Sequence, residues 1–185
     1  MHTNYRLHRQ RGITNIQIAM GIAVIGLSIL GGLFLLKYPE SQKVKNEMAE
    51  LMDLRSSSVN YATKHGGLYT GMSIATACSF GFFPEGRCTG AGATAAVTNQ
   101  WGGTIAVALV ALTSTNSGVA WTFPGLSSRA CIDEITDLWH TAALITVGTT
   151  AVKTAATQPL NDAATVTACE AQNNNASVVW TFGPR

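Results

Sequence analysis

The sequence predicts an α+β fold: one long N-terminal α-helix packed against a C-terminal antiparallel β-sheet head, with two disulfides. Three observations predict it. Residues 13 to 36 carry no charge and run on into a charged, amphipathic stretch ending near Lys64. From Thr104 the apolar spacing changes to period two, and SGVAWTFP at Ser117–Pro124 recurs as SVVWTFG at Ser177–Gly183. All four cysteines, Cys78, Cys88, Cys131 and Cys169, follow the apolar run.

The chain has 185 residues, enough for one anchored domain. Its net charge is +2, but Arg6, Arg9 and Arg11 crowd the start. Without residues 1 to 12, nine Lys/Arg face ten Asp/Glu, a balance of −1. No basic patch remains, so direct nucleic-acid binding is not expected. As a helix, Ile13–Leu36 is about 36 Å long at roughly 1.5 Å per residue. A bilayer core is about 30 Å thick, which makes this run a membrane-spanning candidate. It is too long for a secretory signal, and Leu35-Leu36-Lys37-Tyr38-Pro39 offers no small-residue cleavage site. The basic leader stays cytoplasmic. The region after Lys37 is then outside, where cysteines oxidise. Four cysteines allow three pairings, and spacing alone leaves all three open.

Along the apolar helix, Gly21, Ser28 and Gly32 share a face with Gln17, while Asn15, Ala19, Ala23 and Gly26 share roughly the opposite one. Small residues on two faces suit a helix packed by neighbours on several sides. Gly31-Gly32 and Pro39 weaken it locally. Residues 40–64 continue it, with Val44, Met48, Leu51, Leu54 or Arg55, Val59 and Ala62 as the apolar line. Lys43, Lys45, Glu47, Glu50 and Asp53 read as a solvated face, with Lys43–Glu47 an i,i+4 pair worth a few tenths of a kcal/mol. His65-Gly66-Gly67 ends the helix.

Residues 66–104 read as loop. Cys78 and Cys88 enclose SFGFFPEGR, with a turn at Pro84-Glu85-Gly86, and match neither CxxC nor zinc spacing. Phe80, Phe82 and Phe83 are expected to pack within this loop, with an exposed contact patch as the alternative. Ile105, Val107 and Leu109 alternate with Ala106, Ala108 and Val110 as a strand. In the two repeated strands Val, Trp and Phe fall on one face, read as core against the long helix rather than as a carbohydrate platform. Between them, Ser127 or Ser128 caps a helix to about Leu138, with Asp133 and Glu134 early and Ile132, Ile135 and Leu138 inward. A single strand is expected over 143–152, then a short helix opening at Pro159. Cys131 and Cys169 then each lie on a helix.

No catalytic chemistry is visible. His65 and His140 lack a metal-spaced partner, and there is no H-E-x-x-H, G-x-S-x-G or phosphate-cradling loop. Asp133 and Asp137 read as a solvated face. Asn175-Ala176-Ser177 matches a glycosylation sequon. No catalytic residue, metal ligand or cofactor is expected. An enzyme would need a buried acid/base pair in the folded head.

Arg9-Gln10-Arg11-Gly12 followed by Ile13-Thr14 and the long apolar helix resembles the leader and N-terminus of type IV prepilins, most like the type IVb and conjugative thin-pilus branch. The resemblance implies the pilin fold and a division into leader 1–12, helix 13–64 (13–38 filament core, 39–64 under the head) and head 65–185. It implies cleavage by a prepilin peptidase between Gly12 and Ile13, N-methylation of Ile13, and assembly through Thr14, Asn15, Gln17, Gly21, Ser28 and Gly32. It also implies pairing Cys78–Cys88 and Cys131–Cys169. The expected life history is a single-pass inner-membrane precursor that becomes an extracellular pilus. The implied partners are copies of itself, the peptidase, an assembly ATPase with its membrane platform, a secretin, and a host- or recipient-cell ligand for adhesion, aggregation or mating. Family members usually carry Glu as the fifth mature residue, where this chain has Gln17. That departure favours a minor pilin or a secretion pseudopilin as the alternative. An adhesive tip module and an anchored domain that never assembles are the others.

Overall fold

The computed structural model describes the backbone of residues 15–84 and 86–183, and side chains over 40–84 and 86–183. The chain divides into Met1–Pro39 and Glu40–Arg185. The first helix, α1, spans Asn15–Lys64. Over its second half, Val44, Glu47, Glu50, Leu51, Leu54, Ser58, Tyr61 and Ala62 are buried. Apart from Glu50 these sit three or four residues apart, on one helix face. Leu54, not Arg55, is the core residue there, and Val59 is only half-buried. The helix stops where Gly66 and Gly67 take φ of 69° and 82°, and the Gly67 N–H donates back to the Ala62 carbonyl at 2.8 Å.

The segment read as loop carries a short helix, a single 3-10 turn at Gly92–Thr94 and two short strands. Helix α2 (Ile74–Ser79) is capped by Ser73, whose Oγ accepts the Thr76 N–H at 3.1 Å. Strands β1 (Cys88–Thr89) and β2 (Ala96–Val97) pair antiparallel. Two-residue strands leave no periodic pattern to read. Phe82 and Phe83 pack inward as expected, whereas Phe80 is 61% exposed.

The main sheet has five antiparallel strands: β3 (Ala106–Val110), β4 (Gly118–Leu126), β5 (Leu144–Val147), β6 (Thr150–Lys153) and β7 (Ala176–Phe182), in the order β3-β4-β7-β5-β6. The repeated Trp strands are its central neighbours. Trp121 pairs with Trp180, Val119 with Phe182 and Phe123 with Val178, and Ile145 of β5 extends the row beside Trp180. All of these are at most 2% exposed. Each Trp buries on the order of 200 Å², about 5 kcal/mol at ~25 cal/mol per Å². This row is the core, so the repeat is packing and not a platform.

Two expectations need correcting. Residues 143–152 form a hairpin, not one strand: Val147 pairs with Thr150 across Gly148-Thr149, with Gly148 at φ 56°. A glycine that takes a positive φ turns the chain there. Helix α4 spans Asp162–Ala171 and opens three residues after Pro159, because the Asn161 side chain accepts the Ala164 N–H at 3.0 Å. Proline has no side-chain acceptor to do this. Helix α3 spans Ser128–Leu138 with Ser127 as its cap, as predicted. Ser127 Oγ also donates to Glu40 of α1 at 2.5 Å.

Candidate functional site

Gly12, Ile13 and Thr14 lie outside the described residues, as do the side chains of Asn15, Gln17, Gly21, Ser28 and Gly32. Among the described residues no helix is long and apolar enough to cross a membrane. The side chains of Ile13–Leu36 fall outside that set.

The cysteines pair as the resemblance implied. Cys78–Cys88 and Cys131–Cys169 have Cα–Cα separations of 5.9 and 5.8 Å, ordinary for disulfides. Cys131–Cys169 is fully buried and ties α3 to α4. Cys78–Cys88 is half-buried and closes a ten-residue interval that presents Arg87 to α1.

What the head holds against α1 is in part polar. Trp121 donates its indole N–H to Ser58 Oγ at 3.2 Å, a buried tie between β4 and α1. Towards Glu40, the same face meets a cluster of carboxyls. Glu47 of α1 and Glu134 of α3 are both 0% exposed. None of their four carboxyl oxygens has a hydrogen-bond partner. Burial pushes the Glu47 carboxyl from an ordinary 4.5 up to about 8, with the Glu50 charge adding to the rise and Arg87 opposing it. Burial also holds Glu134 well above the carboxylate range, and the Glu47 and Asp133 charges add to that. Glu47 is therefore not on the solvated face the sequence was read to have, and Glu134, read only as an acid early in its helix, is buried. Nor does Lys43 pair with Glu47; its Nζ sits 5.4 Å above the Trp101 ring.

Trp101 lies beside both carboxyls because its loop is folded tightly onto β4. Asn99 Oδ1 accepts the N–H of Trp101 at 3.0 Å and of Gly103 at 2.8 Å, and its Nδ2 donates to the Pro124 carbonyl at 2.6 Å. A Cβ on Gly103 would stand 2.4 Å from that carbonyl, so only glycine fits. The indole N–H of Trp101 eases both carboxyls downward but reaches hydrogen-bond geometry with neither. At the rim, Arg87 meets Glu50 at 3.2 Å and donates to the Thr98 carbonyl. Glu50 is raised by its own burial and held back by Arg87.

Sequence reasoning missed Glu47, Glu134, Glu50, Arg87 and Trp101. A signal for two of them was present. Val44, Glu47, Leu51, Leu54, Ser58 and Tyr61 follow a three–four spacing, and Ala130/Cys131, Glu134/Ile135 and Leu138 do the same. A groove of about 570 Å³ runs alongside, lined by Glu50, Asp53, Ser57, Phe82 and Gln100 among others, but not by Glu47 or Glu134. Elsewhere, buried Lys153 donates to the carbonyls of Trp139 and Ala142 at 2.9 and 2.6 Å, fastening β6 to the end of α3. Burial lowers its pKa. His140 is exposed beside Trp139. Among the described residues no group of three or more His, Cys, Asp or Glu is placed to hold a metal.

A family model described as PilS N terminal matches residues 40–183. No curated protein matches the chain. Among solved structures, the type IVb pilin from Salmonella typhi is similar, at 18% identity and a TM-score of 0.54, over 73% of this chain and 98% of that one. TcpA, a type IV pilin from Vibrio cholerae El Tor biotype, is similar at 13% identity and a TM-score of 0.57, over 77% of this chain and 99% of that one.

Proposed function

This chain belongs to the PilS N-terminal family and has the type IV pilin fold, and on that premise we propose that it is a structural subunit that polymerises into an extracellular type IV pilus. The observation that carries the reading is the division of labour along α1. Its second half seats one face in the head through Val44, Leu51, Leu54 and Tyr61, and the sequence before it is the uncharged run Ile13–Leu36.

In this reading the peptidase cuts after Gly12. The apolar helices then leave lipid and pack together, trading lipid contacts for helix–helix contacts through small residues such as Gly21, Ser28 and Gly32. Gln17 accepts a hydrogen bond from a neighbour's N-terminal amine without the charge assistance a Glu would give. That weakening is the reason to keep a minor pilin or pseudopilin as the second reading. Heads form the filament surface and meet a host or recipient cell in adhesion or mating. An assembly ATPase with its platform and a secretin complete the machinery.

We assign no catalytic role. The buried acid pair that an enzyme would need is present in Glu47 and Glu134, yet both are 0% exposed and neither lines the groove.

The test is intact mass and N-terminal sequencing of protein sheared from the cell surface. A chain beginning at N-methylated Ile13, abundant in filaments and four hydrogens lighter than its reduced form, supports the major-subunit reading. The same processed chain at trace level selects the minor pilin. An unprocessed chain confined to the membrane, despite active peptidase, overturns both.

A further inference from the structure

Glu47 of α1 and Glu134 of α3 are close enough for the Glu47 charge to act on the Glu134 proton, and both lie beside Trp101, with no water-accessible surface and no hydrogen-bond partner on any carboxyl oxygen. Two carboxylates in such a place repel each other and lack solvation, so the contact is stable only with protons on it. The groups facing the pair do not change this. Glu50 and Lys43 come from α1, Arg87 from the disulfide loop, Asp133 from α3, and Gln100 and Trp101 from the loop on β4. Arg87 is engaged by Glu50, and Lys43 lies over the Trp101 ring. A bound cation is a poor fit. Among the described residues no group of three or more His, Cys, Asp or Glu is placed to hold a metal, and the polar side chain that both carboxyls share, the Trp101 indole, is an N–H donor.

We propose that protonated Glu47 and Glu134 form a pH-sensitive latch between α1 and the head, shut in acid and loosened as the pair ionises in mild alkali. The direction follows from linkage. A carboxyl that keeps its proton longer in the folded state than in the open one favours the folded state at low pH and loses that advantage as pH rises. For Glu47 the window runs from about 4.5 to about 8. Opening would part α1 from α3 near Glu47 and admit water, while the Ser58–Trp121 tie, which does not titrate, keeps the rest of α1 seated.

The experiment uses the full-length chain in detergent micelles. Infrared spectroscopy in heavy water reads the C=O stretch of protonated carboxyls across pH 5 to 9. Amide exchange, corrected for its intrinsic pH dependence, reads opening in 44–51 and 130–138. The expected result is a protonated-carboxyl band that persists at pH 7 and fades toward pH 9. Alongside it, the opening constant should rise about tenfold per pH unit for each retained proton. Glu47→Gln and Glu134→Gln should each weaken the band and flatten that rise. If one variant fails to fold, the other and the wild-type titration still decide. The latch is overturned if no protonated carboxyl survives at pH 7, or if opening is insensitive to pH. It is also overturned if folded variants keep the wild-type slope, or if a chelator changes exchange and so reveals a cation there.

Discussion

At Ser58 and at Glu47, about three turns apart on α1, a polar side chain is buried against the head. At Ser58 the polarity is matched: the hydroxyl accepts the Trp121 indole N–H at 3.2 Å, and the surroundings are the Trp row of the sheet. At Glu47 it is unmatched: a second carboxyl lies across the contact and no partner satisfies either. The first joint has no titrating group and holds α1 at any ordinary pH. The second has its strength set by protons. A helix can thus be seated in one domain by two contacts of similar burial, one indifferent to pH and the other governed by it.

The comparison can be broken or sharpened by experiment, each read as chemical denaturation of the full-length chain in detergent. Trp121→Ala strikes the first joint and is expected to cost about 3–5 kcal/mol at every pH. A loss that varied with pH would show that the joints are not separate. Cys131→Ala with Cys169→Ala frees α3 from α4, at an expected cost of about 2–5 kcal/mol. It should also shrink the pH dependence, since Glu134 is then held less firmly against α1. Ser58→Ala leaves the Trp121 N–H buried without an acceptor, about 1–3 kcal/mol and flat in pH.

In the wild-type chain, Glu47 has a raised folded pKa. Its contribution is therefore fully present below about pH 4.5 and lost as pH rises to about 8. The expected slope is about 1.4 kcal/mol per pH unit per retained proton, removed by Glu47→Gln. Lys43→Ala takes the cation off Trp101 and is the smallest change, about 0.5–1 kcal/mol.

Much of the first joint was legible in the sequence. Val119, Trp121 and Phe123 announce their face by period two, their repetition in Val178, Trp180 and Phe182 announces a shared sheet, and Ser127 announces a helix start. The second joint was not read, for two different reasons. Glu47 and Glu134 sit in apolar stripes that residue type overrode, since glutamate is rarely buried. Trp101 gave no local signal, because its place depends on Asn99 reaching the Pro124 carbonyl twenty-five residues away. The glycine turn at Gly148 and the cap at Asn161 were in plain view, but one strand was read straight through the first and Pro159 was weighted above the second.

The sheet order has a consequence for how the head comes into being. The last strand in the chain, β7, lies in the middle of the sheet, between the β3–β4 and β5–β6 hairpins. Before Ala176–Phe182 arrives, those hairpins are two separate pieces, and a lone two-stranded hairpin is marginal in water. Trp121 has then no Trp180 beside it, and β5 has no neighbour but β6. Pairing across so long a stretch of chain is slow. Assembly of the head therefore waits on its final strand, and a chain cut short of Trp180 is left with exposed strand edges that invite pairing with other chains.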